Sequence, residues 1–423
     1  MTGDPCNRLA FGLLVLSVAA VTALAGPSVA AAAATKRASV TVQTVEVGAP
    51  GNPSVGIVPF TDAIYQSCAD APEGTNCLSV GGVDYPYGIG HLEVTVEQWV
   101  DFLNTADPKG IDRHDLYDPT ESSKAWPKYG QINRARRAAK SRHYSVAYPE
   151  WADKPYAFAN FLRAARFTNS LFNGRLLSKS ASEVGGVGLI SYKVRLSPRT
   201  GRGMYNLAGS KRNGATRAKN RGFVVPSQDE WIKAAYYDPG GGGTYSYWKY
   251  PTNAGVFGDD TATAPSQTTL DPTTGDVTNA ETQPLATYHA SGAAAPTWCP
   301  AAIQPPSNCS SVNPFGIDPT TYAELYQGSV GTVGQAQTPG PWGTLDQGGN
   351  VVEWTDTITP PPAGNGGGRV WRRLHGGIAN APVYQLWLSA VGLNPEDNRV
   401  FKLTYPWLGF RVGVIGDLKP DKR

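Results

Sequence analysis

The segment with the clearest chemical potential is Trp342–Trp354, which reads WGTLDQGGNVVEW. Asp346 and Glu353 lie seven residues apart, and the turn-forming Gly348–Asn350 lies between them. A turn at this point would fold the two carboxylates toward each other, and its main-chain carbonyls could complete an all-oxygen cage for a hard cation such as calcium. The alternative is a glycine-rich turn between strands, with Trp354 in the core and both acids solvated.

Cysteines form a second group with chemical potential. Cys6 lies in a segment expected to be removed, and the other four form two local pairs, Cys68 with Cys77 and Cys299 with Cys309. An even number at such short spacing in an exported chain predicts two disulfides, each pinning a surface loop. Zinc binding and reactive thiols are the alternatives, although neither pair has the CxxC spacing typical of zinc sites.

The histidines do not form a recognisable metal-binding motif. The chain contains no HxxxH or HxH arrangement among its five histidines, which are His91, His114, His143, His289 and His375. An iron site built on a facial triad of histidines and a carboxylate is therefore unsupported.

Three predicted helices must position these residues. The first begins near Val96, where apolar residues recur at helical spacing and Thr95 can cap the first turn. The second is predicted over about Ala157–Phe172 and stops at an Asn-Gly pair. The third begins after Ser227, whose hydroxyl can accept hydrogen bonds from the first free amides.

The remaining chain is expected to form short strands and turns. Val40–Val47 alternates apolar and polar residues and is predicted to be an edge or opening strand, and a second strand is predicted at Leu92–Thr95. Two insertions, residues 105–149 and 240–340, separate the regular elements. The first contains the basic run RARRAAKSR at residues 134–142, which could contact an acidic glycan or a phosphate surface or could simply be a solvated face.

The N-terminus carries the features of a secretory signal peptide, predicted over residues 1–34. Arg8 precedes the apolar run Leu9–Ala25, and Ser28–Ala30 offers the small residues that signal peptidase accepts. This run is short for a membrane span, and no second apolar run of about 18 residues follows it. A secreted or periplasmic protein without a stable membrane anchor is therefore expected.

Composition favours one loop-rich domain. The 423 residues include 48 Gly and 34 Pro, and only 17% are charged. The domain is predicted over residues 55–415, after a lead-in at 35–54 and before a tail at 416–423. The formal net charge of +3 is too small to imply a nucleic-acid partner.

Five separated segments of this chain follow one another in an order that is shared with a known family. They are HLEVTVEQWVDFLN at His91–Asn104, the helix ending in RFTNSLFNG within Pro155–Gly174, VVPSQDEWIKAAYY at Val224–Tyr237, GTLDQGGNVVEWTD at Gly343–Asp356, and a last block from RVWRRLHGG to LGFRVGV. Together they resemble the formylglycine-generating enzyme family, also called the sulfatase-modifying factor domain. The resemblance spans nearly the whole chain after the leader and implies an α+β, C-type-lectin-like fold.

The same resemblance implies an oxidase whose copper ion is held by two cysteines, because copper(I) prefers soft thiolate ligands. In the family these cysteines lie five residues apart, shortly after the glycine turn of the final block. Ala381 and Leu386 occupy the matching positions here, and no cysteine lies beyond Cys309. We therefore expect no catalytic residues and no copper.

Calcium is the cofactor that the resemblance supports. Family members bind a structural calcium ion with a side-chain oxygen at the position of Asp346, main-chain carbonyls at those of Gly349 and Val351, and a carboxylate at that of Glu353. This chain can supply all four ligands, so we expect a structural calcium site.

Other residues in the matching motifs are expected to be structural: Glu93, Trp231, Trp354 and Arg411. A buried arginine needs a carboxylate partner, and Glu93, Glu230 and Glu353 are the candidates for Arg411. The alternative is that Arg411 binds a substrate carboxylate.

The region around the absent cysteines opens into a groove in this family. Four aromatic residues are candidates to line it: Tyr384, Trp387, Tyr405 and Trp407. Aromatic side chains in a shallow groove suit sugar rings or extended peptides, while core packing is the alternative for each of them.

The sequence thus predicts a calcium-stabilised extracellular module that binds or scaffolds a glycan or protein ligand and that lacks oxidase activity. Two alternatives stay open. One is a formylglycine-generating oxidase that modifies a sulfatase cysteine, and the other is a structural protein of the cell envelope.

Overall fold

Each α-helix begins at a polar residue whose side chain accepts a hydrogen bond from the first turn. The helices are α1 (Val96–Ala106), α2 (Phe161–Phe172) and α3 (Gln228–Tyr236), capped by Thr95, Asn160 and Ser227 respectively. At α1 and α3 the cap is reciprocal, because the residue at the third helical position returns a bond to the cap backbone. The three predicted helices are confirmed. The second begins later than predicted, since Asn160 caps it and the preceding residues run beside Leu408 in extended form.

The computed structural model describes residues 38–59, 67–125, 130–208, 214–241, 246–252, 254–259, 262–288, 329–361, 369–396 and 406–420. All of them belong to one compact unit, Arg37–Arg423. The strands are β1 (Ser39–Val47), β2 (Val55–Ile57), β3 (Leu78–Val80), β4 (Tyr87–Gly90), β5 (Ile132–Arg134), β6 (Tyr144–Val146), β7 (Arg175–Val184), β8 (Val187–Arg195), β9 (Gly222–Val224), β10 (Trp248–Tyr250), β11 (Ala254–Val256), β12 (Ser266–Gln267), β13 (Leu285–Ala286), β14 (Val352–Thr359), β15 (Trp371–His375), β16 (Gly392–Pro395), β17 (Leu408–Gly409) and β18 (Gly413–Ile415).

The largest sheet contains six antiparallel strands in the order β7-β8-β1-β4-β18-β9. β1 is the opening strand, as predicted, but it is not an edge: it pairs with β8 on one side and β4 on the other. The strand predicted at Leu92–Thr95 is wrong. The actual strand is β4, just before it, and Val94 instead hydrogen-bonds through its backbone to Phe410 and Tyr156.

The long β7–β8 hairpin is a feature that the prediction of short strands missed. Its strands contain ten and nine residues, and Gly185 and Gly186 form the turn with φ values of 58° and 81°. Two adjacent residues with positive φ match the twist of a two-residue hairpin, and glycine adopts that conformation at low cost.

A four-stranded sheet, β16-β15-β14-β17, carries the sequence motif around Glu353. Glu353 faces His375 across the antiparallel β14–β15 pair and Gly409 across the parallel β14–β17 pair. This register places Arg411, two residues after Gly409, beside Glu353. Helices confined to part of the chain and mostly antiparallel strands make the fold α+β, as predicted.

An aromatic cluster joins helices α1 and α2 to the chain that leaves β17. The Trp99 ring of α1 stacks on Tyr156 at 4.3 Å between centroids and lies 5.9 Å from Phe167 of α2. The Phe410 ring meets both Trp99 and Phe167 edge-on. Burial of these large rings stabilises a domain that has little regular structure.

The insertions contain only short elements in their described parts. Residues 105–149 hold a 3-10 helix at Pro119–Glu121 and the β5–β6 pair, and residues 240–340 hold β10 to β13. The predicted Cys68–Cys77 disulfide is present, with a Cα–Cα distance of 6.0 Å. Cys299, Cys309 and the predicted signal peptide lie outside the described residues. In the described part of the chain, no helix is both long and apolar enough to span a bilayer.

Candidate functional site

The turn that precedes β14 is shaped by residues in the left-handed backbone region. Asp346, Gly349 and Asn350 have φ values of 54°, 87° and 60°. Gly349 is required for a second reason: a Cβ at this position would overlap the Thr287 carbonyl oxygen. That oxygen accepts a hydrogen bond from the Asn350 amide at 2.8 Å, so the turn is held tightly against the chain that follows β13.

Arg411 and Glu353 form an ion pair inside the protein, and both side chains have 0% exposure. The guanidinium Nη2 lies 2.6 Å from Glu353 Oε1, and Nε lies 2.7 Å from Oε2. The Trp231 indole nitrogen of α3 donates to Oε2 at 2.9 Å. Arg411 also donates to the carbonyls of Gly90 and Leu345. Among the three carboxylates predicted as partners, Glu353 is therefore the one that Arg411 contacts.

Two further carboxylates lie within the electrostatic reach of this pair. Glu93 accepts hydrogen bonds from the Asn350 side chain at 2.9 Å and from the Val351 amide at 3.4 Å, and Asp346 accepts one from the Gly334 amide. Burial raises the pKa of Glu93 well above its usual range and that of Asp346 to about 6. Three buried carboxylates thus share one guanidinium, which leaves negative charge that protons or a cation must balance.

The predicted calcium ligands can be compared with this geometry. Asp346 and Glu353 are brought together, and Gly349 and Val351 lie in the connecting turn. The excess of carboxylates fits a cation by charge, but Glu353 already accepts from Arg411 and Trp231 through both oxygens. Across the described residues, no group of three or more His, Cys, Asp or Glu side chains is placed to hold a metal ion. A cation here would therefore depend on main-chain carbonyls.

All four residues that the sequence predicted to be structural are buried. Glu93 is 2% exposed, and Trp231, Trp354 and Arg411 are 0% exposed. The Trp354 indole donates to the Ala159 carbonyl at 3.0 Å and so joins β14 to the cap region of α2. The Trp231 ring stacks on His375, whose pKa burial lowers to about 3, so that this imidazole is neutral near pH 7.

A second buried charge network was not anticipated from the sequence. Arg217 donates through Nη1 and Nη2 to the two oxygens of Glu230, at 2.7 Å each, and through Nε to Asp356. The hydroxyls of Tyr85 and Tyr205 donate to Glu230 and Asp356 respectively. Arg217 lies in no recognisable motif, so only the fold brings it to these two acids.

The positions that match the family's copper cysteines are closed and apolar. Ala381 is 4% exposed and packs with Ile378, Val352 and Trp407, whereas Leu386 is 0% exposed and packs in a separate cluster around Tyr250. Neither side chain can donate to a metal ion, so these residues do not fit copper.

The predicted aromatic groove is assembled only in part. Tyr384 and Trp387 are half-buried and meet edge-on at 6.2 Å between centroids, on either side of Leu386. The Trp387 indole donates to the Tyr250 hydroxyl, and Lys249 Nζ lies 5.4 Å from the ring centroid. Trp407 packs instead against Ile378 and Ala381. Tyr405 lies outside the described residues.

Replacing Gly349 by alanine should destabilise the protein by more than backbone strain alone. Gly185 is the matched control, because it also has positive φ but a Cβ added there would meet no other atom within 4 Å. We expect Gly185→Ala to cost about 1–2 kcal/mol of unfolding free energy. Gly349→Ala should cost at least about 2 kcal/mol more because of the overlap with Thr287. Urea unfolding of both variants measures the difference, and equal losses would contradict the close approach.

Replacing Arg411 by methionine should cost about 3–5 kcal/mol, because it leaves the Glu353 carboxylate buried without its cation. Lys179→Met is the control, since it breaks an exposed pair with Asp417 and should barely change the unfolding midpoint. Denaturant unfolding of the two variants provides the comparison. A small loss in Arg411→Met would show that the buried pair is not important for stability.

Comparison with known protein families confirms the family that the five sequence segments resemble. The family model described as the sulfatase-modifying factor enzyme 1-like domain matches residues 80–412. A search among curated proteins finds no match.

Three solved structures align with most of the chain. Variable protein 1 of Treponema denticola is 17% identical with a TM-score of 0.39, and the alignment covers 89% of this chain and 99% of that one. CarF is 16% identical with a TM-score of 0.37, at 89% and 99% coverage, and PvdO from Pseudomonas aeruginosa is 12% identical with a TM-score of 0.31, at 89% and 94% coverage. The family assignment does not rest on these structures, whose TM-scores are below 0.5. It rests on the family model, which covers most of the sequence. On that match, the chain belongs to the sulfatase-modifying factor enzyme 1-like family.

Proposed function

We propose that this family member is an exported binding module that lacks the copper oxidase activity and recognises a glycan or an extended peptide beside Tyr384 and Trp387. The observation that carries this proposal is the replacement of both thiol positions by buried aliphatic residues. Ala381 and Leu386 fill the space with carbon and belong to two different apolar clusters. A copper(I) ion would find no thiolate at either position.

The cysteines elsewhere do not offer a substitute copper pair in the described residues. Cys68 and Cys77 are joined to each other, and their loop lies beside β2 through the contact of Cys68 with Gly56. This disulfide also supports export, because such bonds persist in oxidising compartments outside the cytosol. The predicted signal peptide is consistent with the same localisation.

The aromatic pair supports recognition of a ligand. Tyr384 and Trp387 are half-buried, and the second ring is oriented by its hydrogen bond to Tyr250 and by the cation of Lys249. A ring that is already oriented in this way loses little side-chain freedom when it binds a ligand. Such surfaces suit the flat faces of sugar rings and the side chains of extended peptides.

Calcium has a structural role in this proposal. Glu93, Asp346 and Glu353 outnumber Arg411 in a buried cluster, and a divalent cation at the turn would balance that charge. Asp346 is the side-chain ligand and Gly349 and Val351 would contribute main-chain carbonyls. Because the cation would bind the folded chain, it would stabilise that state by mass action.

The binding proposal predicts saturable affinity for at least one ligand on polysaccharide and peptide arrays. Trp387→Ala should weaken that affinity by about tenfold or more, because a buried aromatic contact dominates such an interface. Trp371→Ala is the matched control, since Trp371 is a half-buried tryptophan on β15. Flat binding across the arrays, or equal losses in both variants, would contradict the proposal. Self-association without ligand binding would instead favour a structural envelope protein, and copper-dependent aldehyde formation on a CxPxR peptide would favour the oxidase.

The calcium proposal predicts that a chelator lowers the melting temperature of the purified protein and that added calcium restores it. Asp346→Ala should abolish this response, because it removes the side-chain ligand. Asp271→Ala is the control: the Asp271 carboxylate accepts hydrogen bonds from Thr273 and Thr274 within its own turn. An unchanged melting curve under chelation would refute the calcium site, and the excess carboxylates would then be neutralised by protons.

A further inference from the structure

The basic loop, residues 134–142, concentrates positive charge on a nearly neutral protein. It contains Arg134, Arg136, Arg137, Lys140 and Arg142 and no acidic residue. Without these five cations the formal net charge of the chain would change from +3 to −2. The charge of the protein is therefore distributed unevenly, and this loop is a local source of positive potential.

The basic loop is held in place by the chain beside it. It connects β5 to β6, which pair from Ile132 to Val146. Arg134 donates through Nε to the Gly110 carbonyl at 3.1 Å, and the Ser141 amide donates to the Pro108 carbonyl at 2.9 Å. Because both ends and the backbone are fixed, binding would not have to order the loop.

The other four cations of the loop point to solvent. Arg136, Arg137, Lys140 and Arg142 are exposed, and none of them forms an ion pair with any residue that the structure describes. The structure of the folded protein thus leaves their charge available to an external partner.

A pocket of about 250 Å³ lies beside the basic loop, because Pro108, which lines the pocket, accepts the hydrogen bond from the Ser141 amide. Its lining contains the apolar residues Ala106, Pro108, Ile111 and Leu116. The polar lining residues are Lys109, Arg113, His114 and Asp107. Ile111 is 50% exposed, although it is a large apolar residue.

The acidic residues of this segment oppose the cations only in part. Asp107 accepts from the amides of Ile111 and Asp112 and from the Tyr144 hydroxyl, and Asp112 accepts from the amides of Leu116 and Tyr117. With Asp115 included, residues 106–116 and the basic loop together contain three carboxylates and seven Lys or Arg side chains. The surface therefore remains positive.

We propose that the basic loop and the adjoining pocket bind an anionic polysaccharide. Exposed cations match regularly spaced carboxylate or sulfate groups, and a small pocket whose lining combines apolar side chains with Lys109 and Arg113 suits one acidic sugar ring. Single-stranded nucleic acid would favour exposed Phe, Tyr or Trp rings for base stacking, and the described residues of the basic loop and the pocket lining include none. A membrane surface would favour several exposed apolar anchors, whereas Ile111 is the one exposed large apolar residue among the described residues of the basic loop and the pocket lining.

This surface is independent of the aromatic pair at Tyr384 and Trp387, so either proposal can fail without the other. The experiment measures binding of the full mature chain to immobilised heparin and polygalacturonate, with neutral dextran as reference, across a range of salt concentrations. We expect saturable binding to at least one acidic polysaccharide and none to dextran. The affinity should fall steeply with added salt, because screening weakens exposed charge contacts.

The test variant replaces Arg136, Arg137, Lys140 and Arg142 by serine. The control replaces four other exposed cations by serine and so removes the same charge: Lys193, Lys219, Arg221 and Lys419. The test variant should bind about tenfold more weakly or worse, and the control should bind nearly as well as the unaltered chain. Matching melting curves would verify that both variants fold.

The pocket is tested separately with a short galacturonate or heparin oligosaccharide, which cannot span the whole row of cations. Arg113→Ser should weaken its binding, while Trp387→Ala should not. Three results would overturn the proposal: no binding to either acidic polysaccharide, equal losses in the test and control variants, or equal affinity for anionic phosphatidylglycerol vesicles or single-stranded DNA.

Discussion

The buried pair between Arg411 and Glu353 is the interaction on which the rest of the site depends. A guanidinium without solvent needs acceptors for its N–H groups, and Arg411 donates to the Glu353 carboxylate and to the carbonyls of Gly90, His91 and Leu345. Those acceptors belong to the β14 strand, the end of β4 with the residue after it, and the turn before β14. Trp231 adds α3 through its bond to the same carboxylate. One charged pair therefore joins the six-stranded sheet, the four-stranded sheet, a helix and the glycine turn.

The charged centre and the aromatic cluster around Trp99 involve none of the positions where the family holds copper. Ala381 and Leu386 lie in two small apolar clusters at the margin of the main core. Both side chains are buried, and their packing belongs to those two clusters. Three carboxylates lie near the single guanidinium of Arg411. The stability of this centre therefore depends on the protons or the cation that balance their charge.

Much of the fold could be predicted from local sequence. Thr95 and Ser227 predict the starts of α1 and α3, because a capping side chain and its partner lie within one helical turn of each other in the sequence. The later start of α2 could not be predicted in this way, since the residues before Asn160 are held extended by Leu408, which is distant in sequence. The β7–β8 hairpin does have a local signal in the sequence, the glycine pair Gly185 and Gly186 at its turn. The central position of β1 in its sheet has no local sequence signal, because strand order depends on pairing between segments far apart in the chain.

For the site, the sequence by itself determined which chemical groups are present: the carboxylates of Asp346 and Glu353, the glycines of the turn between them, and the lack of thiols at Ala381 and Leu386. Only the tertiary structure decided how those groups are used. In the folded chain Glu353 pairs with Arg411, and Glu93 lies beside the same turn through its bond with Asn350. Trp387 packs beside Tyr384, whereas Trp407 packs in a different cluster. The physical reason is that residue identity fixes charge and ligand type, whereas the competition of donors for one buried carboxylate depends on distances between segments far apart in the chain.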